Sequence, residues 1–273
     1  MNIKSDDLVL EIGSGHNPKT RSDVLCDKLP EDDTERGGKI VLDRPFVAAD
    51  GQYLPFADKS FDYVICCQVL EHADDPSLFI SELMRVGKAG FIEVPTEVGE
   101  KLYGWEYHKW LFSRDGSGKL MIKRKTKKGQ FGQLFHQLYL KDSDYAKFHD
   151  GNYNLFMVQY DWSGKIDYEI IESENDLIDL DNITNVNVLL ERKDQIVISG
   201  SVKRVIPAWL RRWIKGAMVK GQGRNRRKLE DIKGIIVCPS CKSELIWEKE
   251  SIICNICDRK YSIRNGIPFF LIK

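Results

Sequence analysis

Apolar residues in the first hundred positions fall in short runs parted by polar turns. Leu8-Val-Leu-Glu-Ile12, Val24-Leu-Cys-Asp27, Phe46-Val-Ala-Ala49, Tyr63-Val-Ile-Cys-Cys67 and Phe91-Ile-Glu-Val-Pro95 have strand length and little alternation, the pattern of strands covered on both faces. One helical repeat stands between the last two runs. Leu78, Phe79, Leu83 and Met84 recur at helical spacing behind Asp74-Asp75-Pro76, acids followed by a Pro at an early helical position. Gly87 and Gly90 are expected to stop that helix. A short helix is expected between the first two strands, where only about eight residues separate Asn17 from Cys26. Strands alternating with helices at this pitch predict an α/β fold with a parallel, doubly wound sheet.

From Trp110 the alternation dissolves. Trp110–Arg114 and Lys119–Arg124, joined across Asp115-Gly-Ser-Gly118, read as a hairpin. Leu155–Tyr160 and Ile166–Ile171, joined through Ser163-Gly164, read as a second. Residues 119–128 hold six basic side chains and no acid, a patch for phosphate or an acidic acceptor, or a solvated hairpin tip.

The chemistry concentrates where the early strands end. Glu11 closes the first strand, and Gly13 and Gly15 let the chain turn and let a ligand approach without meeting a Cβ. Open α/β sheets bind ligands at these carboxyl ends, and a carboxylate there suits a cation or a hydroxyl better than a phosphate. No Gly-Lys-Ser/Thr follows the turn, which excludes a phosphate-cradling loop, and no third Gly completes a dinucleotide fingerprint. Asp27, at the tip of the second strand, reads as a partner for ribose hydroxyls or as a solvated loop acid.

Glu11-Ile-Gly13-Ser14-Gly15, Asp50 with Leu54-Pro-Phe56, and Phe61-Asp-Tyr-Val-Ile-Cys-Cys-Gln-Val-Leu-Glu-His72 resemble class I S-adenosylmethionine-dependent methyltransferases. The nearest branch includes the ubiquinone and menaquinone biosynthesis enzymes. The resemblance covers roughly residues 6–100 and implies a Rossmann-like sheet, with the first hairpin as an insertion over the acceptor site. Asn17 stands where many members carry a third Gly, and Asn tolerates a left-handed turn. By the same resemblance, Glu11 and the Gly13–Ser14–Gly15 backbone hold the methionine end of the cofactor. Asp27 takes the ribose hydroxyls, Asp50 and Gly51 address the adenine, and Cys67 and Gln68 line the sulfonium. Methyl transfer is an in-line displacement that depends mainly on positioning, helped by a base where the acceptor is a hydroxyl. His72 and His108 are the candidate bases. His72 reads equally as holding a helix start, and His108, within Trp105-Glu-Tyr-His-Lys-Trp110, as part of an aromatic mini-core.

Charge divides the chain unevenly. Through Asp115 there are 13 Lys/Arg against 22 Asp/Glu, and in the remainder 28 against 19, for a net charge of zero. Residues 203–228 hold ten basic residues and no acid. Val205, Ile206, Trp209, Leu210, Trp213, Ile214, Ala217 and Met218 fall on one helical face there, opposite Arg204, Arg211, Arg212 and Lys215. Such a helix docks on its own catalytic domain, lies in a membrane interface, or meets RNA. Gly221–Arg227 reads as a linker.

Cys238-Pro-Ser-Cys241 and Cys254-Asn-Ile-Cys257, twelve residues apart, supply four thiolates for a closed tetrahedral site, the donor set of structural zinc, with rubredoxin-like iron as the competitor. About forty residues make too small a core alone, so metal would fold them. The tail through Lys260–Pro268 resembles the zinc-ribbon partners of tRNA, rRNA and release-factor methyltransferases. The expected organisation is a methyltransferase domain over 1–200, a basic helix and linker over 201–234, and a zinc ribbon over 235–273. Met1–Asp7 lacks the apolar stretch of an export signal, and paired Cys-x-x-Cys motifs suit a reducing cytoplasm, with peripheral contact at the inner membrane surface through 203–228 as a variant. The expected activity is O-methylation of a small molecule or of a glycan or lipid intermediate. RNA methylation and a non-catalytic, cofactor-binding regulatory module are the alternatives.

Overall fold

The structure, a computed structural model, describes residues 1–32, 38–126, 131–172, 177 and 227–271. Of the basic helix expected over 203–228 and the linker expected over 221–227, residues 203–226 lie outside the described residues. The chain divides into two compact units, one of Met1–Ile92, Asp161–Ile166 and Gln222–Lys273, the other of Glu93–Tyr160 and Asp167–Gly221.

The first unit is built on a sheet whose apolar runs are buried as their sequence predicts. β1 (Val9–Ile12) lies between β2 (Val24–Asp27) and β4 (Phe61–Cys67), parallel to both, and β3 (Phe46–Ala48) runs parallel outside β2. The chain thus leaves β1 to one side and returns to the other, which opens a crevice at the carboxyl ends of these strands. β5 (Gly87–Pro95) and then β8 (Met157–Ser163) follow β4. α1 (Pro76–Val86) connects β4 to β5, with Pro76 in its first turn and the Asp75 carboxylate accepting from Leu78 N at 3.0 Å. It buries Phe79, Ile80, Leu83 and Val86, each contributing roughly 2 kcal/mol.

Two expectations are corrected here. Residues 13–23 contain no helix and pass through turns, because Pro18 and the short span leave little room for one and side chains satisfy the backbone instead. Gly90 does not stop α1: β5 begins at Gly87, and Gly90 lies inside the strand, where a Cβ would sit 2.4 Å from the Val64 carbonyl oxygen and 2.8 Å from Trp162.

At the opposite edge, β10 (Leu245–Trp247), β11 (Ser251–Cys254), β12 (Lys260–Arg264) and β13 (Ile267–Phe269) form an antiparallel meander. β13 pairs in parallel with β3 through Phe269 and Ala48, and Phe270 N donates to Ala48 O at 2.7 Å. Ala57 N to Ile235 O (2.8 Å) and Val237 N to Pro55 O (3.0 Å) add a second attachment. The cysteine-bearing segment therefore covers an edge strand that would otherwise present open backbone groups.

The second unit carries β6 (Trp110–Arg114) and β7 (Leu120–Arg124) as the expected antiparallel hairpin. The second expected hairpin is not one. β9 (Tyr168–Ile171) pairs in parallel with β7, while β8 belongs to the large sheet. Among the described residues of the unit are four helices that the apolar pattern does not announce: α2 (Glu97–Tyr103), α3 (Gly132–Lys141), α4 (Ser143–Gly151) and α5 (Tyr153–Phe156). Local signals start two of them. Thr96 Oγ1 accepts from Gly99 N at 2.9 Å, and Asp142 Oδ1 accepts from Asp144 N and Tyr145 N. Their core is aromatic, with Tyr103 between the rings of Trp105, Phe135, His136, His149 and Phe156 at centroid distances of 5.1–6.2 Å.

Candidate functional site

Glu11, Gly13, Ser14, Gly15, Asp27, Asp50, Gly51, Cys67 and Gln68 all lie at the carboxyl ends of β1–β4. Gly13 and Gly15 hold φ of +67° and +51°. A Cβ on Gly13 would fall 2.0 Å from Val69 Cγ2, so the turn requires glycine for space as well as for conformation. Gly51 is equally constrained, since a Cβ there would stand 2.2 Å from the Phe79 ring of α1. Gln68 itself adopts φ +58°, which turns the chain sharply away after the half-buried Cys67.

Glu11 is only 4% exposed. Its Oε2 accepts from Lys19 N at 2.8 Å and from the Ser22 hydroxyl. Burial holds its carboxyl above the usual range, and the Ser22 and Lys19 bonds and the nearby Lys19 and Arg44 charges offset that only in part. Asp27 Oδ2 accepts from Gly15 N at 3.1 Å, tying the tip of β2 to the glycine turn, and Oδ1 accepts from Leu29 N. Asp50 Oδ1 receives Gln52 N, and Oδ2 pairs with Lys28 Nζ at 2.7 Å. Ser14 Oγ is buried with no hydrogen-bond partner among the described residues. A buried hydroxyl without a partner costs free energy unless a polar group meets it, so the donors and acceptors of this turn are compatible with a polar ligand such as S-adenosylmethionine.

The two candidate bases lie in different units. His72 ends a 3₁₀ turn (Leu70–His72) after β4, with its N–H donating to Val69 O. His108 is buried, stacked on Trp105 at 5.0 Å, and bonded through Nδ1 to Glu100 Oε2 at 2.6 Å. The other oxygen of Glu100 accepts from Lys125 Nζ, which also donates to Trp105 O. The Glu100 carboxylate fixes the orientation of the imidazole ring through that bond.

Cys238, Cys241, Cys254 and Cys257 come together with their sulfurs all within 4.8 Å of one another. The Cys238–Cys257 and Cys241–Cys254 separations are 3.6 and 3.4 Å. Four sulfurs at ~2.3 Å from a tetrahedral zinc stand ~3.8 Å apart, so the cluster fits that ion closely. Cys238 Sγ contacts the Tyr261 hydroxyl at 3.2 Å, and Cys254 Sγ contacts the Ser243 hydroxyl at 3.1 Å. Lys242, directly after the first Cys-x-x-Cys pair, reaches Glu82 Oε2 of α1 at 3.0 Å, and Glu82 in turn accepts from Leu54 N at 2.7 Å.

Sequence reasoning missed Ser22, Arg44, Glu100, Lys125 and Lys242. Arg44 and Ser22 meet through the fold across 22 positions, with no local pattern to mark them. Glu100 and His108, eight apart and flanking three aromatic residues, offered the one readable hint.

Residues 26–92 match a family described as a methyltransferase domain, and residues 234–266 match the Trm112p-like proteins. The demethylmenaquinone methyltransferase of Thermobifida fusca is 29% identical over 119 residues, 37% of this chain and 50% of that protein. The chain thus spans about half the length of this curated relative. The UPF0434 protein of Blochmanniella pennsylvanica is 49% identical over 39 residues, 14% of this chain and 71% of that protein. Among solved structures, the complex between the Haloferax volcanii Trm112 methyltransferase activator and a methyltransferase aligns at 25% identity over 34% of this chain and 47% of that one, with a TM-score of 0.28. A methyltransferase of Methanosarcina mazei aligns at 17% over 51% and 80%, with a TM-score of 0.29.

Proposed function

This chain, which carries a methyltransferase domain and through a 39-residue stretch belongs to the UPF0434 family, is, we propose, an S-adenosylmethionine-dependent methyltransferase with a structural zinc ribbon. The observation that carries the reading is the corner of Glu11, Asp27 and Asp50 around a glycine turn with an unsatisfied Ser14 hydroxyl. When bound, S-adenosylmethionine supplies a methyl group on a sulfonium for in-line displacement. Glu11 offers a carboxylate for the ammonium of the methionine end, Asp27 for the ribose hydroxyls, and Asp50 with Gly51 for the adenine. Cys67 and Gln68 line the reacting end. The acceptor is an oxygen of a small molecule or of a glycan or lipid intermediate, and His72 or His108 takes its proton. The four thiolates leave the metal no open position, so zinc supports the fold and takes no part in the transfer.

Titration calorimetry with S-adenosylhomocysteine tests the reading. Micromolar-range binding by the wild type, lost in Asp27→Ala and Asp50→Ala, is expected. No binding by the folded, metal-loaded protein would end it. RNA as the acceptor is the second reading, favoured by the excess of 28 basic over 19 acidic residues after Asp115. It requires RNA binding that weakens steeply with salt.

A further inference from the structure

Arg44 lies outside every motif discussed so far, yet its side chain is only 2% exposed. It stands just before β3, and its guanidinium splits its bonds between two partners. Nε and Nη2 bind the Asp43 carboxylate at 2.7 and 3.2 Å. Nη1 donates to Lys19 O at 3.0 Å and to Ser22 O at 2.6 Å. Those carbonyls end the single turn, closed by Ser22 N to Lys19 O at 3.2 Å, that stands where a helix was expected after the glycine turn. The donors of the same two residues, Lys19 N–H and the Ser22 hydroxyl, point the other way and bind Glu11 Oε2. The turn is therefore held between a buried cation on its carbonyl side and a buried carboxylate on its donor side. Every hydrogen bond found on the Glu11 carboxylate among the described residues goes to Oε2 and comes from this turn.

We propose that Arg44 is a positioning residue for cofactor recognition: by pinning the Lys19–Ser22 turn it orients the Glu11 carboxylate toward the ammonium of the methionine end. A helix after a glycine turn presents its own aligned N–H groups to a ligand. This chain has turns there instead, and Arg44 with Ser22 supplies the rigidity that the helix would give. Rigidity matters because a carboxylate free to rotate forfeits part of a charge-assisted bond to the entropy of fixing it. The inference rests on the cofactor reading above, and it makes a prediction which that reading alone does not: Arg44 affects only the amino-acid end of the ligand.

The test compares two ligands, S-adenosylhomocysteine and 5′-methylthioadenosine, which shares the adenosine and thioether but lacks the amino acid. Arg44→Met is expected to weaken S-adenosylhomocysteine about tenfold, the worth of one charged hydrogen bond, and to leave 5′-methylthioadenosine within about twofold. Ser22→Ala, which leaves Arg44 in place and serves if Arg44→Met does not fold, is expected to show the same selectivity. Glu11→Gln combined with either is expected to add little, because all three act on one contact. A variant that weakens both ligands equally, or neither, overturns the proposal and leaves the cofactor reading standing. A wild type that binds neither ligand overturns both.

Discussion

Two buried glutamates show how differently the two compact units use charge. Glu11, at the end of β1, is 4% exposed, and Glu100, in α2, is 2% exposed. The donors on Glu11 are a backbone N–H and a hydroxyl, both on one oxygen. The donors on Glu100 are His108 and the Lys125 ammonium, one on each oxygen. A buried carboxylate shared between two basic side chains has its charge answered within the protein. A carboxylate met by neutral donors on one side remains unfavourable to bury until a cation arrives. The first arrangement is complete within the fold, and the second is the one that the cofactor role proposed for Glu11 would complete.

The largest effect that separates the two regions should come from the metal. Small zinc domains draw on the order of 10 kcal/mol from the ion. Chelation is therefore expected to release the ribbon, seen as lost hydrogen-exchange protection at Phe270, whose amide bonds to Ala48, while the α2 amides keep theirs. Parallel loss in both regions would break the comparison. Next is Glu100→Ala, which takes the carboxylate away from two buried basic groups and should cost about 3 kcal/mol in urea unfolding. A cost below about 1 kcal/mol would mean that the pair is ornamental to α2. Gly51→Ala forces a methyl into the Phe79 ring and should cost about 1–3 kcal/mol. Phe79→Leu in the same chain is expected to recover part of it, and no recovery would place the strain elsewhere.

The smallest effect has the opposite sign. Burial raises the Glu11 pKa in the folded state, so the fold favours the protonated form. The stability this gives is fully present below the ordinary value of 4.5 and is lost as pH rises through the raised folded value. Glu11→Gln escapes that loss, and its melting temperature should match or exceed the wild type at neutral pH, with the difference fading in acid. Over the same window wild-type affinity for S-adenosylhomocysteine should rise with pH, since the ionised carboxylate is the form that meets an ammonium. Affinity that is flat across it would detach Glu11 from the ligand.

The strands of the first unit, α1 and the cysteine knuckles are legible in the sequence, because each is fixed by a local pattern: an unbroken apolar run, an acid before Pro76, paired Cys-x-x-Cys. The carboxylates at the strand ends follow from the same pattern once the strands are placed. What is not legible depends on partners far along the chain. The turn at Lys19–Ser22 is set by Arg44, and β9 leaves its expected partner because β7 offers a parallel edge 48 positions away, as in Lys123 with Ile171. The helices around Tyr103 have amphipathicity that is aromatic and spread over 97–156, so no single window shows it. The caps at Thr96 and Asp142 were the readable trace.

The most direct test of the account is a pair of readings on Glu11→Gln at pH 7.5, its melting temperature and its calorimetric affinity for S-adenosylhomocysteine. A carboxylate kept for a ligand predicts a melting temperature at or above the wild type together with affinity weaker by about tenfold or more. A lower melting temperature with unchanged affinity would contradict it, and would make Glu11 a second Glu100.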